Sequence, residues 1–235
     1  MFEQMNNNKV HLMGKITSLP KLSHEVYDER FFEINLEISR LSGSVDVIPI
    51  IVSEKLLGEY IFAVGQDLNI VGQFRSYNKQ IDGKSKLVLT VFVREILEIN
   101  ATNEDTNSIE LTGYICKEPI FRTTPFKREI CDVLLAVNRA YNKSDYLPCI
   151  AWGRNARYVK NMKVGEKISI FGRIQSRNYE KKYDNGLSEQ KTAYEISIIK
   201  ILTGDSGTKE YVVPLNQLYE KKRYGKWCSS LKFSI

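Results

Sequence analysis

Lys9-Val10-His11-Leu12-Met13-Gly14-Lys15-Ile16 and Ser108-Ile109-Glu110-Leu111-Thr112-Gly113-Tyr114-Ile115 follow one pattern. Each alternates apolar and polar residues and then places a glycine, as a half-buried strand does at a bend. The offset between the two segments is 99, and the same offset takes Arg40 to Arg139 and Pro49 to Pro148. An offset of 100 takes Gly65 to Gly165, Gly72 to Gly172 and Ser76 to Ser176. The order of these landmarks is kept throughout, so the chain reads as a duplicated domain.

Each copy reads mostly as strand, with Val, Ile, Leu and Tyr recurring at period two. Strands are expected near 9–17, 30–40, 45–53, 67–77 and 86–98, and again near 108–116, 129–140, 145–152, 166–177 and 191–202. A short helix falls between the third and fourth strand of each copy. In the first copy it follows Ser53 as N-cap, with Leu56, Leu57, Tyr60 and Ile61 facing the core. In the second it lies within 154–165 and ends at Gly165, past the C-cap. Five strands with a helix between the third and fourth is the layout of an OB-fold barrel. The expected fold class is therefore all-β: two tandem five-stranded OB-fold barrels and a flexible C-terminal tail. The expected boundaries are 1–100 for the first copy, 101–107 for a linker, 108–203 for the second copy and 204–235 for the tail.

The 235 residues are 43% hydrophobic, enough for packed cores. No apolar run is long enough to span a bilayer, and the polar start MFEQMNNNKV has no secretory core, so a cytoplasmic protein is expected. The four cysteines form no CxxC pair, and His11 and His24 are the only histidines. No metal site and no cofactor is expected from that set, and the thiols read as small core residues. Charge separates the copies. Residues 1–100 hold 11 Lys/Arg against 13 Asp/Glu, a net −2, while residues 101–235 hold 23 against 15, a net +8. The basic half is the candidate for a polyanionic partner.

A single-strand binder needs positive charge along a backbone track and rings on which bases stack. The second copy supplies both in its connections. Arg139, Tyr141, Lys143 and Tyr146 lie between its second and third strands. Trp152 ends the third, followed by Arg154 and Arg157. Arg177, Tyr179, Lys181, Lys182 and Tyr183 leave the fourth, before a turn signal at Asp184-Asn185-Gly186. Arg139 has a counterpart in Arg40 of the acidic copy, which equally fits a residue that pairs or caps within the fold.

The runs NSIELTGYICKEP (107–119), RTTP (122–125), Cys131 to Arg139, DYLPCIAWGRNA (145–156), VGEKISIFGRIQSRNY (164–179) and TAYEIS (192–197) resemble the bacterial single-stranded DNA-binding protein family. The likeness covers roughly 107–202, and the first copy resembles the same fold more weakly. It implies that Tyr141, Tyr146, Trp152 and Tyr179 stack on bases. It also implies no catalysis, no cofactor, and a homodimer that brings four barrels together. Such a protein protects single-stranded DNA in replication, recombination and repair, and contacts replication or repair proteins. The family's acidic tail tip has no match in EKKRYGKWCSSLKFSI. The offsets take the four ring positions to Ser42, Val47, Ser53 and Lys79, so the first copy is expected to serve assembly. The alternative is an RNA-binding or primosome-type OB accessory protein acting mainly through protein contacts. A metal nuclease would need clustered carboxylates, and Glu129, Asp132, Asp145 and Glu195 are scattered.

Overall fold

The computed structural model describes residues 6–40, 42–81, 84–99, 107–182 and 188–202. The first copy runs β1 (Asn8–Ile16), β2 (Lys21–Val26), β3 (Glu29–Ser39), β4 (Val45–Ser53), α1 (Glu54–Glu59), β5 (Asp67–Ile81) and β6 (Lys84–Leu97). The second repeats the order as β7 (Asn107–Ile115), β8 (Ile120–Thr123), β9 (Glu129–Arg139), β10 (Lys143–Trp152), α2 (Gly153–Val159), β11 (Lys167–Lys182) and β12 (Ser188–Leu202).

Pairing runs from β1 to β5, β6, β4 and β3, and β3 pairs back onto β1. The second copy follows the same path from β7 through β11, β12, β10 and β9 to β7. One contact in each path, β4–β6 or β10–β12, is parallel, and the rest are antiparallel. Five strands in this order, with a helix between the third and fourth, give the OB topology expected from the periodicity. Gly14 and Gly113 sit where β1 passes beside β3 and β7 beside β9. A side chain there would run into the carbonyl of Glu37 or of Ala136.

Each copy has a sixth strand that the alternation missed. β2 hangs on β3 and β8 on β9 as short hairpin partners. Neither β2 nor β8 has a buried residue, so no apolar period marks it. The fourth and fifth strands are also longer than expected and form two-stranded arms beyond the ring.

Ser53 caps α1 as expected, accepting from the Leu56 N–H at 3.4 Å. Leu56 and Leu57 pack against the core, but Tyr60 and Ile61 lie beyond the last helical residue and are exposed. α2 ends at Val159, so Gly165 does not terminate it. Gly165, at φ +91, instead turns the chain into β11, and its N–H donates to the Ile115 carbonyl at 2.8 Å. Gly65 does the same in the first copy, at φ +88 and 2.8 Å to Ile16. Asn107 is not linker. It opens β7, and its side chain bonds both the N–H and the carbonyl of Ile174. The remaining linker residues, the 184–186 turn signal and the 204–235 tail lie outside the described residues.

The copies meet edge to edge. β1 pairs antiparallel with β7, and Val10 lies opposite Ile109, its own counterpart at offset 99. A local twofold therefore passes between these two residues, and one hydrophobic core continues through both copies. The same twofold crosses the arms. Asp46 on β4 accepts from the Ser176 N–H (2.6 Å) and hydroxyl (3.0 Å) on β11. Asp145 on β10 accepts from the Ser76 N–H on β5 at 2.7 Å. Both carboxylates are fully buried, and each pairs with its own copy's arginine, Arg40 or Arg139.

Candidate nucleic-acid interface

β10 sets the first two rings. Its inward residues Asp145, Leu147, Cys149 and Ala151 are buried, which turns Tyr146 and Trp152 to the opposite face. Six residues of strand separate them, about 20 Å at the usual rise. Tyr146 is about half exposed, and its N–H donates to the Ser76 hydroxyl of the first copy's arm at 2.8 Å. Trp152 is partly buried at the join of β10 and α2, and its indole N–H donates to the Ser197 hydroxyl at 3.2 Å. One end of the indole is thereby fixed to β12.

Tyr141 occupies the tight loop between β9 and β10, at φ +61, and is 85% exposed. Asn142 beside it is also at positive φ, +54, the backbone that a tight hairpin turn requires. Tyr179 lies out on the β11–β12 arm opposite Lys191. The Arg177 guanidinium carbon stands 5.6 Å from its ring centroid, a cation–π pair on one face of the strand. Lys181 follows on the same face by the two-residue period. Lys182 closes β11, and Tyr183 lies outside the described residues.

The basic residues divide by their partners. Lys143 and Arg154 are exposed, beside Tyr141 and on α2 respectively. Arg157, also on α2, pairs with Glu129 at 2.7 Å. Arg139 pairs with Asp145 at 3.4 Å, as Arg40 pairs with Asp46, so the fold role left open by the sequence is real. The four rings thus form two groups: Tyr141, Tyr146 and Trp152 along β10 and its loop, and Tyr179 with Arg177 on the arm.

Position-by-position comparison at the offset missed rings on the first copy. Phe92 on β6 pairs with Ile51 as Ser197 on β12 pairs with Ile150, so Phe92 holds the place of the Trp152 partner. Phe31 pairs with Ser53 as Ile130 pairs with Trp152. Three neighbouring strands therefore read Ile130, Trp152, Ser197 in one copy and Phe31, Ser53, Phe92 in the other: the aromatic position has moved sideways. His24 stacks on Phe31 at 5.0 Å, Phe31 contacts Phe92 at 5.5 Å, and Arg75 and Arg94 lie 5.9 and 5.1 Å from the Phe92 centroid. Tyr27 and Phe126, strongly exposed in the loops that follow β2 and β8, were also missed.

Cys131 and Cys149 are placed for packing. Both are buried; burial pushes the Cys131 thiol up to about 11 and raises that of Cys149 further. Among the described residues no group of three His, Cys, Asp or Glu could hold a metal ion. None of the described helices is long and apolar enough to cross a membrane.

Strand order and the placement of the helices define an all-β protein of two OB-fold units. Residues 106–202, the second copy, match the family model described as the single-strand binding protein family. Over 81 residues the chain is 36% identical to single-stranded DNA-binding protein A of Bacillus subtilis and to single-stranded DNA-binding protein 1 of Staphylococcus aureus. Those alignments cover 32% of this chain and 47% and 48% of the two relatives, so the chain spans about half the length of the curated relatives it matches. The wild-type single-stranded DNA binding protein of Thermus aquaticus superposes with a TM-score of 0.64 at 19% identity, covering 86% of this chain and 94% of that one. That likeness is one of fold, and it extends over both copies.

Proposed function

We propose that the chain binds single-stranded DNA through its second copy, with little sequence preference, and protects it during replication, recombination and repair. The observation that carries this reading is the outward row of Tyr141, Tyr146 and Trp152 continued by Arg177 and Tyr179 on the arm. Rings interleaved with Lys143, Arg154, Arg177 and Lys181 suit stacked bases and a phosphate track, and every base offers a π-face. The chain works as a homodimer of four OB units in the cytoplasm, and replication or repair proteins are its protein partners.

The test is the Trp152→Ala, Tyr179→Ala double variant with an oligo-dT. Each lost stacking ring weakens binding by about 1–3 kcal/mol, so the pair should nearly abolish it. Unchanged affinity, with circular dichroism showing an intact fold, would refute the assignment. Light scattering on the same samples reads the oligomer, and a mass of one chain would refute the homodimer.

A further inference from the structure

The two junctions between the copies are related by the local twofold, yet they are built differently. At one, Arg40 is matched by Asp46 and bonds the Ser176 carbonyl at 3.1 Å. Gln175 stands there at the place that offset 100 gives to Arg75, and it donates to Glu195 at 2.7 Å. Arg173 lies one alternate position back, at the place of Gln73. At the other junction Arg75 itself is present. Arg75 feels the charge of the same Asp145 that pairs with Arg139, but the ion pair there is Arg139's. Arg94 brings a third charge to the Phe92 ring, 5.1 Å from its centroid.

The geometry of this second junction is unfinished. The Nε of Arg75 and the Oδ2 of Asp145 are buried and have no hydrogen-bond partner. The neutral Gln73 is the hydrogen-bond partner of both Arg75 and Arg94. Burial lowers the Arg75 guanidinium to about 10; Arg139 and Arg94 push the same way, and Asp145 opposes them. An anion placed here would relieve that excess of positive charge. The cluster leads from the Tyr146 face, where the Tyr146 N–H meets Ser76, along β5 to Phe92 and Arg94.

We propose that Arg75, Phe92 and Arg94, joined across the junction by Arg139, form a second contact surface that takes a DNA single strand from the Tyr146 face onto the first copy. Phosphates seat on the guanidinium groups and a base stacks on Phe92. The first copy then extends the binding track in addition to completing the assembly. This rests on strand binding by the second copy.

Two probes separate the two claims: an oligo-dT of about 8 nucleotides, which one OB unit accommodates, and one of about 30, which must cross the junction. The Arg75→Gln, Arg94→Gln double variant should bind the short probe as the unaltered chain does. It should bind the long probe at least tenfold more weakly, and its log–log salt slope should flatten by about 1.4, or ~0.7 for each lost phosphate contact. Phe92→Leu should weaken the long probe by about fivefold or more, the loss of one stacked base. Arg94 is exposed, so Arg94→Gln alone, with a flattening of ~0.7, gives a reading even if the double variant folds poorly. Long-probe affinity and slope equal to those of the unaltered chain would overturn the proposal and leave the second-copy reading standing. An unaltered chain that binds neither probe would overturn both.

Discussion

Truncating Asp46 to alanine removes the acceptor that clasps the second copy's arm to the first copy. The carboxylate is fully buried, pairs with Arg40, and accepts from the Ser176 N–H at 2.6 Å and hydroxyl at 3.0 Å. Alanine would leave a largely buried guanidinium and a backbone N–H without their partner at once. Breaking a buried ion pair from one side costs about 3–5 kcal/mol. That is a large share of a typical domain stability of about 5–15 kcal/mol. At ~2–4 °C per kcal/mol for a chain of this size, the melting temperature should fall by about 6–20 °C. Asp46→Asn keeps one oxygen to accept from the Ser176 N–H but loses the charge and turns the acceptor of the Arg40 Nε–H into an amide donor, so it should recover only part of the alanine loss. Urea unfolding followed by circular dichroism, on both variants and on the matching Asp145 pair, gives the numbers. A change below about 1 kcal/mol for Asp46→Ala would mean that the buried clasp does not hold the arms.

Gly113→Ala places a methyl group 2.7 Å from the Ala136 carbonyl oxygen, where β7 passes beside β9, and should cost about 1–3 kcal/mol in chemical unfolding. Cys131 and Cys149 should stay unmodified when the folded protein is treated with iodoacetamide near pH 8 and react once it is unfolded, as read by peptide mass spectrometry. The folded chain holds the Cys131 proton to about 11 while an unfolded thiol releases it near ~8.5, so stability should fall as pH rises through that window.

The duplication was legible because it is written in landmarks that local geometry requires. Gly14 and Gly113 mark the same close approach, Gly65 and Gly165 the same positive-φ turn, and Val10 and Ile109 meet across the local twofold. β2 and β8 were not legible, because strands with no buried residue have no apolar period. The end of α2 was misread because glycine signals positive φ equally before a strand and after a helix. The candidate rings of the second copy were named one by one from the sequence, but their distribution between β10 with its loop and the β11–β12 arm was not. The crossed clasps of Asp46 with Ser176 and Asp145 with Ser76 join residues 130 and 69 positions apart, which no short-range pattern encodes. Phe92 escaped because the ring moved from one strand to its neighbour, and an offset comparison looks only along the chain.

The measurement that bears most directly on strand binding is a pair of anisotropy titrations of the intact protein, one with labelled oligo-dT and one with a duplex of the same length, at one moderate salt concentration. Stacking on Tyr146, Trp152 and Tyr179 needs unpaired bases with open faces, so the single strand should bind much more tightly than the duplex, and its affinity should fall as salt rises. Equal affinity for the two would mean that only the positive charge of the second copy is acting, and would contradict a binding surface built on those rings.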